Sequence, residues 1–391
     1  MASSESTLPA ASEPHRLSRE AVLLVSFLLL VLLLAFTAFF SRMYKKHIHV
    51  LADEWFARGQ TDFHSANYKN AVVDYRNALA YSPDSPRFQF QLAKALSAAG
   101  REDEAKAYLQ TLLSEAPGNG EINLELARIA VRQRQMSEAM RYFQGAIYGE
   151  WDRDPIEKRW EVRKELCEYL IDQGALQQIE GELIALVDNT SPTDEKRSKE
   201  VGALLLRVQL WARSLRVYQS ALALNMQDAD ALVGAGTAAF QLGKYAQALE
   251  YFDRLPAEKR SEPGVSGMLE TSRLFFDLDP FQRDLSVSKR VERTTKALAI
   301  AHSRLQECAG KLGGWNGLPS NGEGLQKLNT TSQSMAKEWS IQSLRIHPDR
   351  IEPAMAWVFE VENETALLCG AAQSENNALW LLGRSRGNSG K

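Results

Sequence analysis

Six cations and two apolar residues fall at helical spacings between residues 87 and 207. Arg87, Phe90 and Lys94 are three and four apart, Leu124, Arg128 and Arg132 are each four apart, and Lys199 and Arg207 are eight apart. Such spacings put residues on one face of a helix. A guanidinium pairs a carboxylate through two parallel hydrogen bonds, and an ammonium meets it as a point charge. Cations flanked by Phe90 and Leu124 therefore suit an acidic peptide or a free carboxylate. The competing reading is a solvated helix face, and Asp53, Glu121, Glu161 and Glu168 dilute the positive charge.

Other chemistry finds little support. The chain has no phosphate-cradling glycine loop, no G-x-S-x-G and no H-E-x-x-H. His47 and His49 hold a metal only with distant help. Beside Tyr44, Lys45 and Lys46 they read as interfacial groups, so neither a metal nor a cofactor is expected. Three cysteines, Cys167, Cys308 and Cys369, are too few for a disulfide scaffold and lack zinc spacing. A formal charge of −3 over 391 residues gives no global case for nucleic acid.

These side chains must be carried by something, and the first element is a membrane segment. Residues 21–40, AVLLVSFLLLVLLLAFTAFF, contain no charge. At ~1.5 Å per residue they span roughly 30 Å, the hydrocarbon thickness of a bilayer. The run is long for a signal peptide and is followed by SRMYKK, which favours an uncleaved, single-pass anchor. Arg16 and Arg19 precede it, and Arg42, Lys45 and Lys46 follow. The positive-inside count leans to a cytoplasmic body. A short polar N-terminal tail before a first span commonly stays inside in bacteria, and on that ground an extracytoplasmic (periplasmic) body is favoured.

Beyond the span the chain repeats. Ala71, Ala105 and Ala139 are 34 apart, as are Ser214 and Ala248, with a worn copy centred near Ile179. Large residues recur four positions on, at Tyr75, Leu109, Phe143, Leu183, Tyr218 and Phe252, and Pro83 and Pro117 close the first two copies. A 34-residue helix–turn–helix period resembles the tetratricopeptide-repeat (TPR) family. Gly236, the Gly243-Lys244-Tyr245 turn, Ala248 and Phe252 stand where that family places such residues. The resemblance covers about residues 52–262. It implies an all-α solenoid of about six repeats in which the small residues are helix crossings and the large ones core. It further implies that the first helix of each repeat lines a concave, partner-binding face. On that basis Arg87, Phe90, Lys94, Leu124, Arg128, Arg132, Lys199 and Arg207 are the candidate contacts for a protein or peptide partner. The copy at Trp160–Asn189 lacks its small residue, and a joint or loosened packing is expected around 149–160.

After Pro263 the period fades. GVSGMLETSRLFFDL reads as the first helix of an incomplete copy, and VSKRVERTTKALAIAHSRLQECAG as a long amphipathic capping helix. GGWNGLPSNGEG, residues 313–324, is a loop by composition. IEPAMAWVFEVENETALLCG and NNALWLLGRS read as helices packing on the solenoid end; the segment resembles C-terminal parts of bacterial membrane-anchored TPR proteins, which implies no activity. Cys308 and Cys369 either bridge, if the body is extracytoplasmic, or remain buried thiols; Cys167 reads as a buried thiol.

The expected organisation is a polar tail over 1–20, the transmembrane helix over 21–40 and a juxtamembrane segment over 41–51. Copies one to three follow over 52–153 and copies four to six over 154–262. A partial repeat and cap occupy 263–312, then the loop to 324, C-terminal helices over 325–384 and a disordered tail over 385–391. The first functional expectation is a non-catalytic, membrane-anchored scaffold. The second is an enzyme or accessory of envelope polymer biosynthesis that uses the repeats as a docking platform, and the third is a structural homo-oligomeriser through the C-terminal helices.

Overall fold

The computed structural model describes residues 19–371 and 374–387, and the 1–18 part of the expected tail lies outside them. The described chain is all helix and divides into two compact units, residues 1–162 and 163–391.

The first unit begins with α1, Arg19–His64, a helix of 46 residues. No glycine or proline interrupts it before Gly59. At ~1.5 Å per residue it is roughly 70 Å long. From Val22 to Phe40 every side chain is exposed, and this is the one described helix long and apolar enough to cross a membrane, with a mean hydropathy of 3.0. Only its last turns are packed: Ala52 and Phe56 are buried against α2, Tyr68–Tyr81. The helix expected to span and the first helix of the first repeat are thus one rod. Next come α3 (Pro86–Ala98), α4 (Glu102–Glu115), α5 (Gly120–Arg132), α6 (Met136–Ile147) and α7 (Pro155–Asp172). The loosening expected around 149–160 is not seen at its start. Glu150 exchanges backbone hydrogen bonds with Gly118 and Gly120, and the Trp151 indole donates to the Ala146 carbonyl. Arg159 reaches back to the Gly149 carbonyl at 3.0 Å. The division into units falls later, inside α7.

The second unit continues with α8 (Leu176–Asp188), α9 (Glu195–Arg207), α10 (Trp211–Leu224), α11 (Ala229–Gln241) and α12 (Tyr245–Asp253). A short α13 (Ala257–Arg260) leads to α14 (Pro263–Leu278) and α15 (Val287–Lys311). The final helices are α16 (Glu323–Met335), α17 (Ile341–Ile346), α18 (Ile351–Cys369) and α19 (Ser374–Gly387). Their core joins Val291, Leu305, Trp339, Met355, Val358 and Leu379, so the last helices share one interior with α15. The C-terminal tail is shorter than expected. α19 runs through Ser385 and Arg386, because the Ser385 hydroxyl bonds the Leu382 carbonyl and the Arg386 guanidinium lies 3.7 Å over the Phe281 ring. Residues 388–391 are outside the described chain.

Each repeat crossing has a physical signature. Ala71, Ala105, Ala139, Ser214 and Ala248 are fully buried. A glycine of the first helix also meets the ring sixteen residues later: Gly59 faces Tyr75, Gly202 faces Tyr218 and Gly236 faces Phe252. A Cβ added at Gly236 would sit 2.5 Å from the fully buried Phe252. Helix propensity alone favours Ala over Gly by about 1 kcal/mol. Overpacking costs about 1–3 kcal/mol and wins where nothing can yield. Gly236→Ala is therefore expected to lower stability. Gly181→Ala, with nothing within 4 Å of the new methyl, is expected to raise it by about 0.5–1 kcal/mol. Denaturant melts of the two variants test this, and equal responses would refute it. In the fourth copy Ile179 replaces the small second-helix residue, and the small position of the first helix is held by Cys167. Its sulfur is fully buried, and burial pushes the thiol up to about 12.

Candidate functional site

The candidate partner-binding residues separate into two groups. In the first unit, α3 and the end of α1 bring cations onto aromatic rings. The Arg87 guanidinium lies 4.2 Å over Phe56. The Lys94 ammonium lies 5.7 Å from the Phe90 ring and 6.0 Å from the Phe63 ring. Pro86 starts α3 at a position where its missing N–H costs nothing. The buried stripe of Phe88, Leu92, Ala95 and Leu96 turns Arg87, Phe90 and Lys94 outward. Neither Arg87 nor Lys94 has a carboxylate partner among the described residues. A cation over a ring is held by the ring's negative face and remains able to take an anion.

The second group is occupied. Arg128 pairs with Glu125 at 3.0 Å. Arg132 meets Glu102 at 2.6 Å and donates to the Ser97 hydroxyl. In the second unit, Lys199 contacts Asp228 at 2.6 Å and Glu195 at 3.2 Å, and Arg207 contacts Asp172 at 2.7 Å. The Asp228 hydrogen bond raises the Lys199 ammonium above its ordinary value. Burial raises the Asp228 carboxyl, but Lys199 and the Ala231 N–H outweigh it and hold the carboxyl below its ordinary value. Asp228 also caps α11 through that N–H, so one carboxylate ends a helix and staples two repeats. Leu124 is half-buried on α5. The structure thus brings Arg87, Phe90 and Lys94 together as free groups and engages the other four cations in ion pairs.

Sequence reasoning missed Phe56 and Phe63 as ring partners. Their signal was the spacing of seven along the WFARGQTDF stretch. It also missed a polar group in the C-terminal core: Glu362 is fully buried with neither carboxylate oxygen hydrogen-bonded, and burial pushes it up to about 8 against the pull of Arg304. Cys308 and Cys369 are joined by a disulfide, with their Cα atoms 5.8 Å apart. Among the described residues no group of three His, Cys, Asp or Glu side chains is placed to hold a metal.

A tetratricopeptide-repeat profile matches residues 63–116, 98–148 and 205–270 and leaves the worn fourth copy unmatched. No curated protein matches the sequence. Among solved structures, PilF of Pseudomonas aeruginosa is 16% identical with a TM-score of 0.40, covering 56% of this chain and 97% of that one. The C-terminal part of a TPR repeat-containing protein from Cytophaga hutchinsonii is 17% identical with a TM-score of 0.43, covering 62% and 94%. PilW, a type IV pilus biogenesis factor, is 18% identical with a TM-score of 0.39, covering 56% and 98%. At these identities and scores nothing of their roles transfers. With the 34-residue period, the buried small-residue crossings and the profile match in agreement, the chain carries tetratricopeptide repeats over residues 63–148 and 205–270.

Proposed function

We propose that the chain is a single-pass, membrane-anchored scaffold whose repeats hold a protein or peptide partner without catalysis of their own. Tetratricopeptide repeats are protein-interaction modules, and α1 supports the membrane part. Its apolar stretch is fully exposed over Val22–Phe40 and continues without a break into the helix that packs the first repeat. An exposed run of that length and hydropathy is satisfied by lipid. On this reading the first repeat is held at a fixed height by the helical segment 41–51, and the body lies outside the cytoplasm.

The binding surface we favour is the Arg87–Phe90–Lys94 cluster with Phe63, and the partner is acidic. Reversing both free cations, Arg87→Glu with Lys94→Glu, is expected to weaken capture of an acidic partner peptide by about 10- to 30-fold, at up to about 1 kcal/mol for each exposed ion pair lost. Arg128→Glu with Arg132→Glu removes two ion pairs instead. It is expected to act through stability as well as binding, so a melt is measured alongside. Equal affinity of the Arg87/Lys94 variant and the parent for the same peptide would refute the assignment.

The side of the membrane is tested with an impermeant thiol reagent on intact spheroplasts. Cys167 is buried and Cys308 and Cys369 are bridged, so labelling that needs only prior reduction places the body outside. Labelling that also needs membrane disruption places it in the cytoplasm and overturns this part of the reading.

A further inference from the structure

Where α19 lies against the turn between α11 and α12, a cleft of about 600 Å³ opens between Phe240, Leu242, Gly243 and Tyr245 on one side and Leu381 and Arg384 on the other. All of these residues belong to the second unit. The size is that of a small-ligand site.

Two polar groups in this cleft have no partner. Tyr245 is only 7% exposed, its ring held between Phe240 at 5.3 Å and Phe275 at 4.4 Å. Its hydroxyl makes no hydrogen bond among the described residues and is not one of the oxygens shut away from solvent, so it is open to the cleft and free to donate. Arg384 extends from α19 with its guanidinium 4.7 Å over the Trp380 ring and no carboxylate partner among the described residues. The two sense each other: burial raises the Tyr245 phenol and Arg384 lowers it in part. The contrast with the repeats is informative, because Arg76, Lys106, Arg132, Lys164, Lys199 and Arg207 are each tied to a carboxylate about one period away. The α12 N-terminus adds to the positive field, since no side chain caps it and its first turn carries no acid.

We propose that this cleft binds a carboxylate borne on an apolar body, with Arg384 clamping the two oxygens and the Tyr245 hydroxyl donating to one of them. A lone guanidinium matches a planar monoanion bidentately. The Phe240, Leu242 and Leu381 walls accept the apolar part. A phosphate dianion would be left with one counter-cation and apolar walls, so it is the disfavoured anion. The carboxylate comes either from a small organic acid or from the C-terminus of a peptide. The proposal is independent of the Arg87–Lys94 surface and of the membrane orientation, so either reading can fail alone.

The test is saturation-transfer NMR on the full chain in nanodiscs, which cancels partition into lipid by comparison among variants. The probes are benzoate, N-acetylphenylalanine, N-acetylphenylalanine amide and inorganic phosphate. Both free carboxylates are expected to bind and the amide is not. Arg384→Gln is expected to weaken binding about 10-fold or more and Tyr245→Phe about 3- to 10-fold. Tyr245→Phe keeps the ring packing and Arg384 is exposed, so both variants should retain the parental circular dichroism. Preference for N-acetylphenylalanine over benzoate would assign the peptide source, and the reverse the small acid. Equal signals from parent and both variants would overturn the site. Binding of phosphate in place of the carboxylates, or of the amide as well as the acid, would overturn its chemistry.

Discussion

Reduction of the Cys308–Cys369 bridge is expected to destabilise the C-terminal helices by about 4 kcal/mol, as is its replacement by serines. The bridge joins residues 61 apart in sequence, and closing a loop of that length removes about this much free energy from the unfolded chain in the chain-entropy account. It also fixes the ends of two helices. Cys308 lies near the end of α15, and Cys369 ends α18 just before Gly370, whose positive φ of 88° breaks the helix. The Gly370 carbonyl accepts from Arg304 at 2.8 Å, so the disulfide and this hydrogen bond hold the same corner. For a unit of this size the loss corresponds to a midpoint about 10 °C lower. Melts with and without a phosphine reductant measure it, with Cys167 left intact as the unreactive internal control. Three free thiols in the denatured, unreduced protein would refute the bridge. It would also remove its support for an oxidising compartment, since such bridges persist outside the cytoplasm.

How much of this was readable from the sequence depended on period. The repeats were readable because a crossing tolerates only a small residue, and Ala71, Ala105 and Ala139 recur at the spacing of one helix pair. The groove cations were readable as cations but not as ion pairs. Arg132 and Glu102 are 30 apart, Lys199 and Asp228 are 29, and Arg207 and Asp172 are 35. Residues about one period apart lie side by side on neighbouring repeats. A reading confined to one helix face therefore sees charge where the fold makes a staple. Arg87 and Lys94 escaped pairing because the neighbouring helix presents Phe56 and Phe63 instead of acids. Beyond residue 312 no period constrains the reading. α16 begins at Glu323 within the expected loop, since Leu325 and Leu328 bury against the α15–α18 core, and α17 is only six residues long. The Arg384–Tyr245 cleft was unreadable because its two sides are far apart in the chain and meet only when α19 folds back.

Glu362 carries the other large effect, and its sign is opposite to that of the usual surface carboxylate. It lies on α18 among Val358, Val361 and Thr365, fully buried, with no hydrogen bond to either oxygen. Removing it from water raises its folded pKa from the ordinary 4.5 to about 8, and Arg304 lowers it only in part because that guanidinium is bound to the Gly370 carbonyl. Between pH 4.5 and 8 the folded chain keeps a proton that the unfolded chain has released. Stability contributed by this group is therefore complete below pH 4.5 and falls as pH rises through 8. Over about 3.5 pH units the fall is on the order of 4–5 kcal/mol. The parent is expected to lose stability from pH 5 to about pH 8 and to level off above it. Glu362→Gln, which mimics the protonated acid, is expected to be nearly flat over the same range and more stable than the parent at pH 9. Urea unfolding of both proteins at pH 5, 7 and 9, with the disulfide intact, measures the difference. A parent as stable at pH 9 as at pH 5 would mean that Arg304 leaves Gly370 and pairs with the ionised carboxylate. In that case Arg304→Met should restore the pH dependence, because a buried acid without its cation has no other way to carry charge.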